Sequence, residues 1–131
     1  MKVAGSVALV TGANRGLGLA FAKALVERGA TKVYAAARKP EAVTLKGVVP
    51  LKLDVTSDKD VVAAASAARD VNLLINNAGI ARPGGFLAEG AVEAAREQFA
   101  TARQNSFRIA RARPRPPLRR ESRRALRCLH C

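Results

Sequence analysis

Short apolar runs alternate with longer amphipathic segments along the first hundred residues of the chain. The runs hold four to six residues, are rich in Val, Leu, Ile and Ala, and lie at residues 7–10, 32–36, 48–53 and 71–75. Continuous apolar runs of this length, bounded by Gly, Pro or Asn, are typical of strands buried on both faces of a sheet. We therefore predict four strands.

The segments between the runs show helical periodicity. Apolar side chains recur at helical spacing over residues 17–28, and Gly29 follows as a helix stop. Ser57 precedes acidic residues and an Ala-rich stretch at 61–68, which is the pattern of a capped helix N-terminus. Residues 76–85 are rich in Asn, Gly and Pro and predict a loop, and residues 91–99 predict a further helix.

This order of elements predicts the fold class. Strands that alternate with crossover helices form right-handed βαβ units and a parallel sheet covered on both faces. We expect an α/β fold with a doubly wound parallel sheet of the Rossmann type, incomplete at about four strands. Residues 1–99 form this domain, and residues 100–131 form a divergent tail.

Charge separates the two parts of the chain. The net charge is +13, of which residues 100–131 contribute +9 through ten Arg, no Lys and one acidic residue. This Arg- and Pro-rich tail has neither helical nor strand periodicity, so we predict that it is irregular and disordered. An Arg-rich arm that neutralises nucleic-acid phosphates is the weaker alternative, because Phe107 is its one interleaved aromatic residue.

The composition of the tail also suggests a genetic origin. Codons of a GC-rich gene that are translated out of frame often encode Arg, Pro and Ala, and our hypothesis is a frameshift near residues 100–113. Sequencing the locus tests this hypothesis: an intact original frame, with no other frame that continues the pattern of residues 1–99, would exclude it.

The cysteines, the first residues and the lengths of the apolar runs bear on metal binding and on the cellular location of the protein. Cys128 and Cys131 lie at the end of the sequence, so they cannot link parts of the core, and with the His between them they fall short of the four ligands of a structural zinc site. We predict no metal site. The first residues lack the pattern of a signal peptide and no apolar run reaches about 18 residues, so a cytoplasmic protein without a membrane partner is expected.

Three motifs follow the predicted strands. Thr11-Gly-Ala-Asn-Arg-Gly-Leu-Gly18 lies between the first strand and the first helix, where a glycine-rich turn and a helix N-terminus suit a pyrophosphate. Leu53-Asp-Val55 follows the third strand, and Asn76-Asn-Ala-Gly79 follows the fourth. Taken singly, each motif could be an ordinary turn. In this order they resemble the cofactor-binding half of the short-chain dehydrogenase/reductase family.

The resemblance implies a site for a nicotinamide dinucleotide. Its cofactor-binding residues here would be Gly12, Asn14, Arg15, Gly16, Leu17, Gly18, Arg38, Asp54, Val55, Asn77, Ala78 and Gly79. Members that prefer NAD carry an acidic residue at the end of the second strand, where this chain has Ala37. With that acid absent, Arg38 and Arg15 can pair with a 2′-phosphate, so NADP is expected in preference to NAD.

The same resemblance fails at the catalytic residues. The family uses a Tyr followed four residues later by a Lys, whose positive charge promotes ionisation of the phenol. Here the single Tyr is Tyr34 and the last Lys is Lys59, so the sequence contains no Tyr-x-x-x-Lys. We therefore predict cofactor binding without catalysis, while the parent family would act on an alcohol or carbonyl substrate.

A sheet that stops at the fourth strand has a physical consequence. The apolar run at 71–75 would become an exposed edge strand, which can pair with another chain. A non-catalytic fragment that binds a nucleotide, or associates with another protein through this edge, is the alternative function.

Overall fold

The computed structural model describes residues 2–79, Val92, Arg96 and the main chain of the last strand. Within these residues lie two α-helices and five strands, with a short 3-10 helix at Pro40–Ala42. In chain order the elements are β1 (Val7–Thr11), α1 (Gly16–Glu27), β2 (Lys32–Ala37), β3 (Val49–Lys52), α2 (Asp58–Ala67), β4 (Leu73–Asn76) and β5 (Arg127–His130).

The sheet has the strand order β3-β2-β1-β4-β5, and each of these pairings is parallel. The four predicted strands and the two helices between them are confirmed, with ends that differ by one or two residues. β3 contains Pro50, which cannot donate a ladder hydrogen bond, and its place at the sheet edge accommodates that loss. The fold is an incomplete, Rossmann-like α/β fold.

The fifth strand corrects the prediction for the tail. Arg127–His130 pairs with β4 in the register that sets Leu73 opposite Arg127 and Asn76 opposite His130. The four expected strands are present and Arg127–His130 adds a fifth. The expectation that the fourth strand is exposed at the sheet edge is therefore wrong, and an irregular tail is wrong for these four residues. The remaining tail, residues 80–91 and most of the predicted helix at 91–99 lie outside the described residues; Val92 and Arg96 are helical.

The two helices cover opposite faces of the sheet. α1 packs against a cluster that includes Val10, Val33 and Ile75, whereas α2 packs against one that includes Leu9 and Leu74. Alternate residues of each strand belong to different clusters, because successive side chains of a strand point to opposite faces of the sheet. Burial of each large aliphatic side chain stabilises the fold by roughly 1.5–3 kcal/mol. Apart from Tyr34, the large side chains of this core are aliphatic.

The ends of the helices follow their sequence signals. After α1, Gly29 has φ +79°, its N–H donates to the oxygen of Val26, and the N–H of Ala30 donates to the oxygen of Leu25. These two bonds form a Schellman motif, which needs a residue that tolerates positive φ. At the start of α2, the hydroxyl of Ser57 accepts from the N–H of Asp60 at 3.3 Å. None of the helices in the described part of the chain has the length and apolar character to cross a membrane.

Candidate dinucleotide-binding site

The structure brings the predicted site residues to one edge of the sheet. Each group of them directly follows β1, β2, β3 or β4, and these parallel strands all end at the same edge. Doubly wound sheets bind their ligands outside this carboxyl edge, where the crossovers change direction. The sequence signal therefore identified residues that are neighbours in space, although it could not give their contacts.

The loop between β1 and α1 forms the centre of the site. Gly12 and Gly16 have φ values of +67° and +55°, which favour glycine at both positions. Arg15 is the N-cap of α1, has extended backbone, and makes no side-chain cap hydrogen bond. The first turn of α1 carries no acidic residue. Its backbone N–H groups and positive dipole end therefore suit an anionic ligand such as a pyrophosphate.

The third glycine of the loop permits close packing. A Cβ atom at Gly18 would overlap the main-chain oxygen of Gly12 and lie 2.5 Å from the side-chain nitrogen of Asn77. A Cβ atom at Gly12 would lie 3.1 Å from the Cα of Ala78. The close approach therefore leaves no room for a Cβ atom at Gly18, and a Cβ atom at Gly12 would press tightly against the segment after β4.

Hydrogen bonds join the same two segments. Asn77 donates through Nδ2 to the main-chain oxygens of Thr11 at 3.1 Å and Gly12 at 3.4 Å. The hydroxyl of Thr11 accepts from the backbone N–H groups of Asn77 at 3.0 Å and Ala78 at 2.9 Å. Thr11 is buried, with 1% of its surface exposed. Asn77 and Ala78 are therefore fixed against the loop between β1 and α1, and Gly79 follows them in an exposed position.

Thr11 and Ala13 are site-building residues that the sequence prediction omitted. The N–H of Ala13 donates to the main-chain oxygen of Ala36 at 3.0 Å, which attaches the loop to β2. The Thr-Gly pair that opens the first motif was a local signal for Thr11. Nothing in the local sequence distinguishes Ala13 from other alanines, because its bond depends on the pairing of β1 with β2.

The ends of β2 and β3 form the other half of the site. Ala37 is buried at the end of β2 and Arg38 is exposed directly after it. Leu53 donates its N–H to the oxygen of Ala37 at 2.9 Å, which holds the start of the Asp54 segment beside Arg38. Val55 is half-buried and packs against the cluster under α2.

The Asp54 carboxylate is held by its own turn. Oδ1 of Asp54 accepts from the hydroxyl of Thr56 at 2.6 Å and from its N–H at 2.9 Å. These two bonds lower the pKa of Asp54, and the positive charge of Arg38 lowers that pKa further. Asp54 also donates its N–H to the carboxylate of Asp60 at 3.1 Å, so the first turn of α2 fixes the segment.

The remaining predicted residues surround the mouth of the loop. Asn14 is half-buried, Arg15 is exposed, and 70% of the Leu17 side chain is exposed. An apolar side chain so exposed at a helix start can contact a ligand. The described residues contain no group of three His, Cys, Asp or Glu side chains that could hold a metal ion. The side chains of Cys128 and His130, and Cys131 as a whole, lie outside the described residues.

A family comparison connects this geometry with known proteins. The model of the short chain dehydrogenase family matches residues 6–113. The chain belongs to the short-chain dehydrogenase family. The match extends past Phe99, the domain boundary predicted from the sequence.

Two individual relatives are similar to more than half of this chain. The 3-oxoacyl-acyl-carrier-protein reductase FabG of Vibrio harveyi is 38% identical over 91 residues, which are 63% of this chain and 37% of that protein. Dehydrogenase/reductase SDR family member 11 of Bos taurus is 36% identical over 108 residues, which are 71% of this chain and 42% of that protein. The chain therefore spans less than half the length of these relatives.

Two solved structures of other proteins share the fold of this chain. The enzyme of Burkholderia cenocepacia in complex with NADP is 45% identical, with a TM-score of 0.72, over 86% of this chain and 48% of that one. The NADPH-bound carbonyl reductase from chicken fatty liver is 30% identical, with a TM-score of 0.64, over 83% of this chain and 47% of that one. The chain therefore shares its fold with about half of each of these two proteins, which were solved with NADP and NADPH.

Proposed function

We propose that this chain binds NADP(H) in preference to NAD(H) at the carboxyl edge of its sheet. The observation that carries the proposal is the end of β2, where Ala37 is buried and Arg38 is exposed. A carboxylate at that position would accept hydrogen bonds from the ribose and would repel a 2′-phosphate. With no acid there, the guanidinium of Arg38 would pair with the phosphate without a competing carboxylate at that position.

Two further features support NADP(H). Arg15 is exposed at the N-cap of α1, so a second guanidinium can approach the 2′-phosphate from the loop. The carboxylate of Asp54, which follows β3, already accepts two hydrogen bonds from Thr56, and these bonds offset part of its repulsion of a phosphate. The enzyme of Burkholderia cenocepacia, which is 45% identical, was solved with NADP.

The proposed roles of the site residues follow from their positions. The backbone of Gly12, Arg15 and residues 16–18 would hold the pyrophosphate at the start of α1, with Asn14 in the same loop. Arg38 would hold the 2′-phosphate, and Asp54 and Val55 would flank the adenine. Asn77, Ala78 and Gly79 would line the ribose on the other side of the loop.

Calorimetric titration of the full chain with NADP+ and with NAD+ tests the preference. We expect saturable binding of NADP+ that weakens about tenfold to a hundredfold in Arg38→Asp, because charge-assisted bonds contribute about 1.5–3 kcal/mol. Lys39→Asp is the matched control, since it makes the same charge change at the neighbouring exposed position. Equal affinity for both dinucleotides, or an equal loss in the two variants, would contradict the preference.

The nicotinamide supplies hydride exchange with an alcohol or carbonyl when the dinucleotide is bound. We propose that the 131 residues hold this cofactor without turnover, because they contain no Tyr-x-x-x-Lys to move the accompanying proton. The test is NADPH oxidation by the full chain with a panel of aldehydes and ketones. We expect no rate above that of NADPH alone, and turnover that depends on the chain would overturn this part of the proposal.

A further inference from the structure

One acidic residue in the first turn of α2 bonds to the chain ahead of the helix. Ser57 is the N-cap of α2, and its hydroxyl accepts from the N–H of Asp60 at 3.3 Å. In a capping box, the side chain at the position of Asp60 accepts in return from the N–H of the N-cap residue. Here the N–H of Ser57 donates to the main-chain oxygen of Asp54 at 3.0 Å, and the Asp60 carboxylate accepts from the N–H of Asp54 at 3.1 Å. The carboxylate therefore binds the segment that precedes the helix.

These bonds hold the main chain of Asp54 on both sides. Its N–H donates to Asp60, and its oxygen accepts from the N–H of Ser57. The preceding N–H, that of Leu53, donates to the oxygen of Ala37 at the end of β2. Asp54 and Asp60 are six positions apart, so their bond closes a loop between the end of β3 and α2. The orientation of this peptide group therefore depends on one carboxylate of the helix.

The side chain of Asp54 is fixed together with its main chain. Within residues 2–79, the hydrogen bonds to its carboxylate come from Thr56 and go to Oδ1, so Oδ2 can accept from a donor on a ligand. The amino group of adenine is such a donor, and hypoxanthine carries an oxygen in its place. Because Asp60 binds the main chain of Asp54, its effect on a ligand would act through Asp54.

We propose that Asp60 is a positioning residue that lets the chain select the base of bound NADP(H). This inference rests on the proposed function, in which Asp54 and Val55 flank the adenine. A hydrogen bond from a backbone N–H to a carboxylate is charge-assisted and stronger than one between neutral groups. With that bond, Asp54 stays where its carboxylate accepts from the amino group of adenine. Without it, the segment after β3 can reorient, and the base is distinguished poorly.

The experiment compares two dinucleotides that differ only in the base. The full chain is titrated by calorimetry with NADPH and with reduced nicotinamide hypoxanthine dinucleotide phosphate. We expect the unchanged chain to bind NADPH about three- to tenfold more tightly, as one hydrogen bond predicts. In Asp60→Ala the ratio of the two affinities should fall close to one. This variant keeps Arg38, so its preference for NADPH over NADH should remain.

Two control variants separate positioning from the stability of the helix start. Asp60→Asn keeps an oxygen that can accept from the N–H of Asp54, so it should keep the base preference. Ser57→Ala removes the capping hydroxyl of the same turn but leaves the Asp60 carboxylate in place. It should lower the urea midpoint of unfolding and keep the base preference. Asp60→Ser, whose hydroxyl is one bond shorter than the carboxylate oxygen, repeats the test if Asp60→Ala does not fold.

The outcomes distinguish this inference from the proposed function. An unchanged base preference in Asp60→Ala, or an equal loss of it in Ser57→Ala or Asp60→Asn, would overturn the inference. Equal affinity of the unchanged chain for the two bases would also overturn it, while tighter binding of NADPH than of NADH would leave the proposed function standing. Absence of binding by every dinucleotide would defeat the proposed function, and this inference with it.

Discussion

The side-chain amide of Asn77 donates to the main-chain oxygen of Thr11 at 3.1 Å, although 66 positions separate the two residues in the sequence. The hydroxyl of Thr11 accepts two backbone N–H groups in return, from Asn77 and Ala78. Two segments of the candidate site are thereby held in one arrangement by contacts within the protein itself. A preorganised site of this kind spends less binding energy on ordering its own loops.

Thr11→Val should test this coupling. The variant keeps the shape of the side chain but leaves the N–H groups of Asn77 and Ala78 without their acceptor, in a partly buried place. We expect a loss of about 1–3 kcal/mol in the free energy of unfolding, measured by urea denaturation with circular dichroism. Thr11→Ser keeps the hydroxyl and should lose much less. Equal stability of the Val and Ser variants would show that the two bonds contribute little.

Gly18→Ala should damage the site through packing. The added methyl group would overlap the main-chain oxygen of Gly12, so α1 must move away from the loop and from Asn77. We expect loss of measurable NADP(H) binding in calorimetry, together with a lower midpoint of thermal unfolding.

The control for Gly18→Ala is a glycine far from the site. Gly5 has φ +77°, and a Cβ atom added there would have no other atom within 4 Å. Gly5→Ala should therefore cost about 1 kcal/mol of backbone strain and leave the binding affinity unchanged. Unchanged NADP(H) affinity in Gly18→Ala would contradict the close approach seen in the structure.

The secondary-structure elements and motifs that depend on a local sequence pattern could be predicted from the sequence. The apolar run at β1 and the glycine after α1 determine their elements by themselves, and the motifs at Gly12 and Asn77 predicted which edge carries the site. The bond of Asn77 to Thr11 could not be predicted in this way, because it exists only after β1 and β4 pair. Sequence resemblance gave the neighbours in space, and the structure gave the contacts between them.

Strand β5 could not be predicted from the local sequence pattern. Arg127-Cys-Leu-His130 has no strand periodicity and follows an Arg- and Pro-rich stretch, so local pattern predicted an irregular tail. The apolar strand β4 pairs with Arg127–His130 on the side away from β1, and it is this tertiary partner that makes these four residues a strand. Strand formation often depends more on the partner than on intrinsic preference.

The stability of the domain should depend on pH through one polar cluster. At the amino end of β2, Asp70 accepts from Lys32 at 2.6 Å and from the hydroxyl of Tyr34 at 2.9 Å. The hydrogen bond from Lys32 lowers the pKa of Asp70 below its ordinary value, and the same bond raises the pKa of Lys32. Burial, and then the bond to Asp70, raises the pKa of Tyr34.

The sign of each contribution follows from these directions. The depressed pKa of Asp70 stabilises the fold above the pKa of an unfolded aspartate and is lost as pH falls below about 4. The raised pKa values of Lys32 and Tyr34 stabilise the fold below about pH 10 and are lost as pH rises beyond them. We therefore expect urea midpoints that are level near neutral pH and decline on both sides.

Asp70→Asn should flatten this profile. The variant removes the titrating carboxylate and, with it, the main cause of the raised pKa of Lys32 and the lesser cause of the raised pKa of Tyr34, whose burial remains. The decline at acidic pH should become much shallower, and the decline at alkaline pH should become shallower in part. Glu27→Gln is the control: its partner Lys23 lies 3.8 Å away and both side chains are more than 60% exposed, so it should leave the profile unchanged. A profile that keeps its shape in Asp70→Asn would show that other groups set the pH dependence.

Removal of β5 should change how the protein behaves at high concentration. β4 is buried along its whole length, and its pairing with Arg127–His130 is the cover of its outer edge among the described residues. A chain that ends at residue 126 would present the N–H and C=O groups of Leu73–Asn76 to other molecules, and an exposed apolar edge promotes pairing between chains. We expect concentration-dependent association in sedimentation velocity experiments. A chain lacking only Cys131 keeps the ladder and is the control, so association in both chains, or in neither, would mean that β5 does not protect this edge.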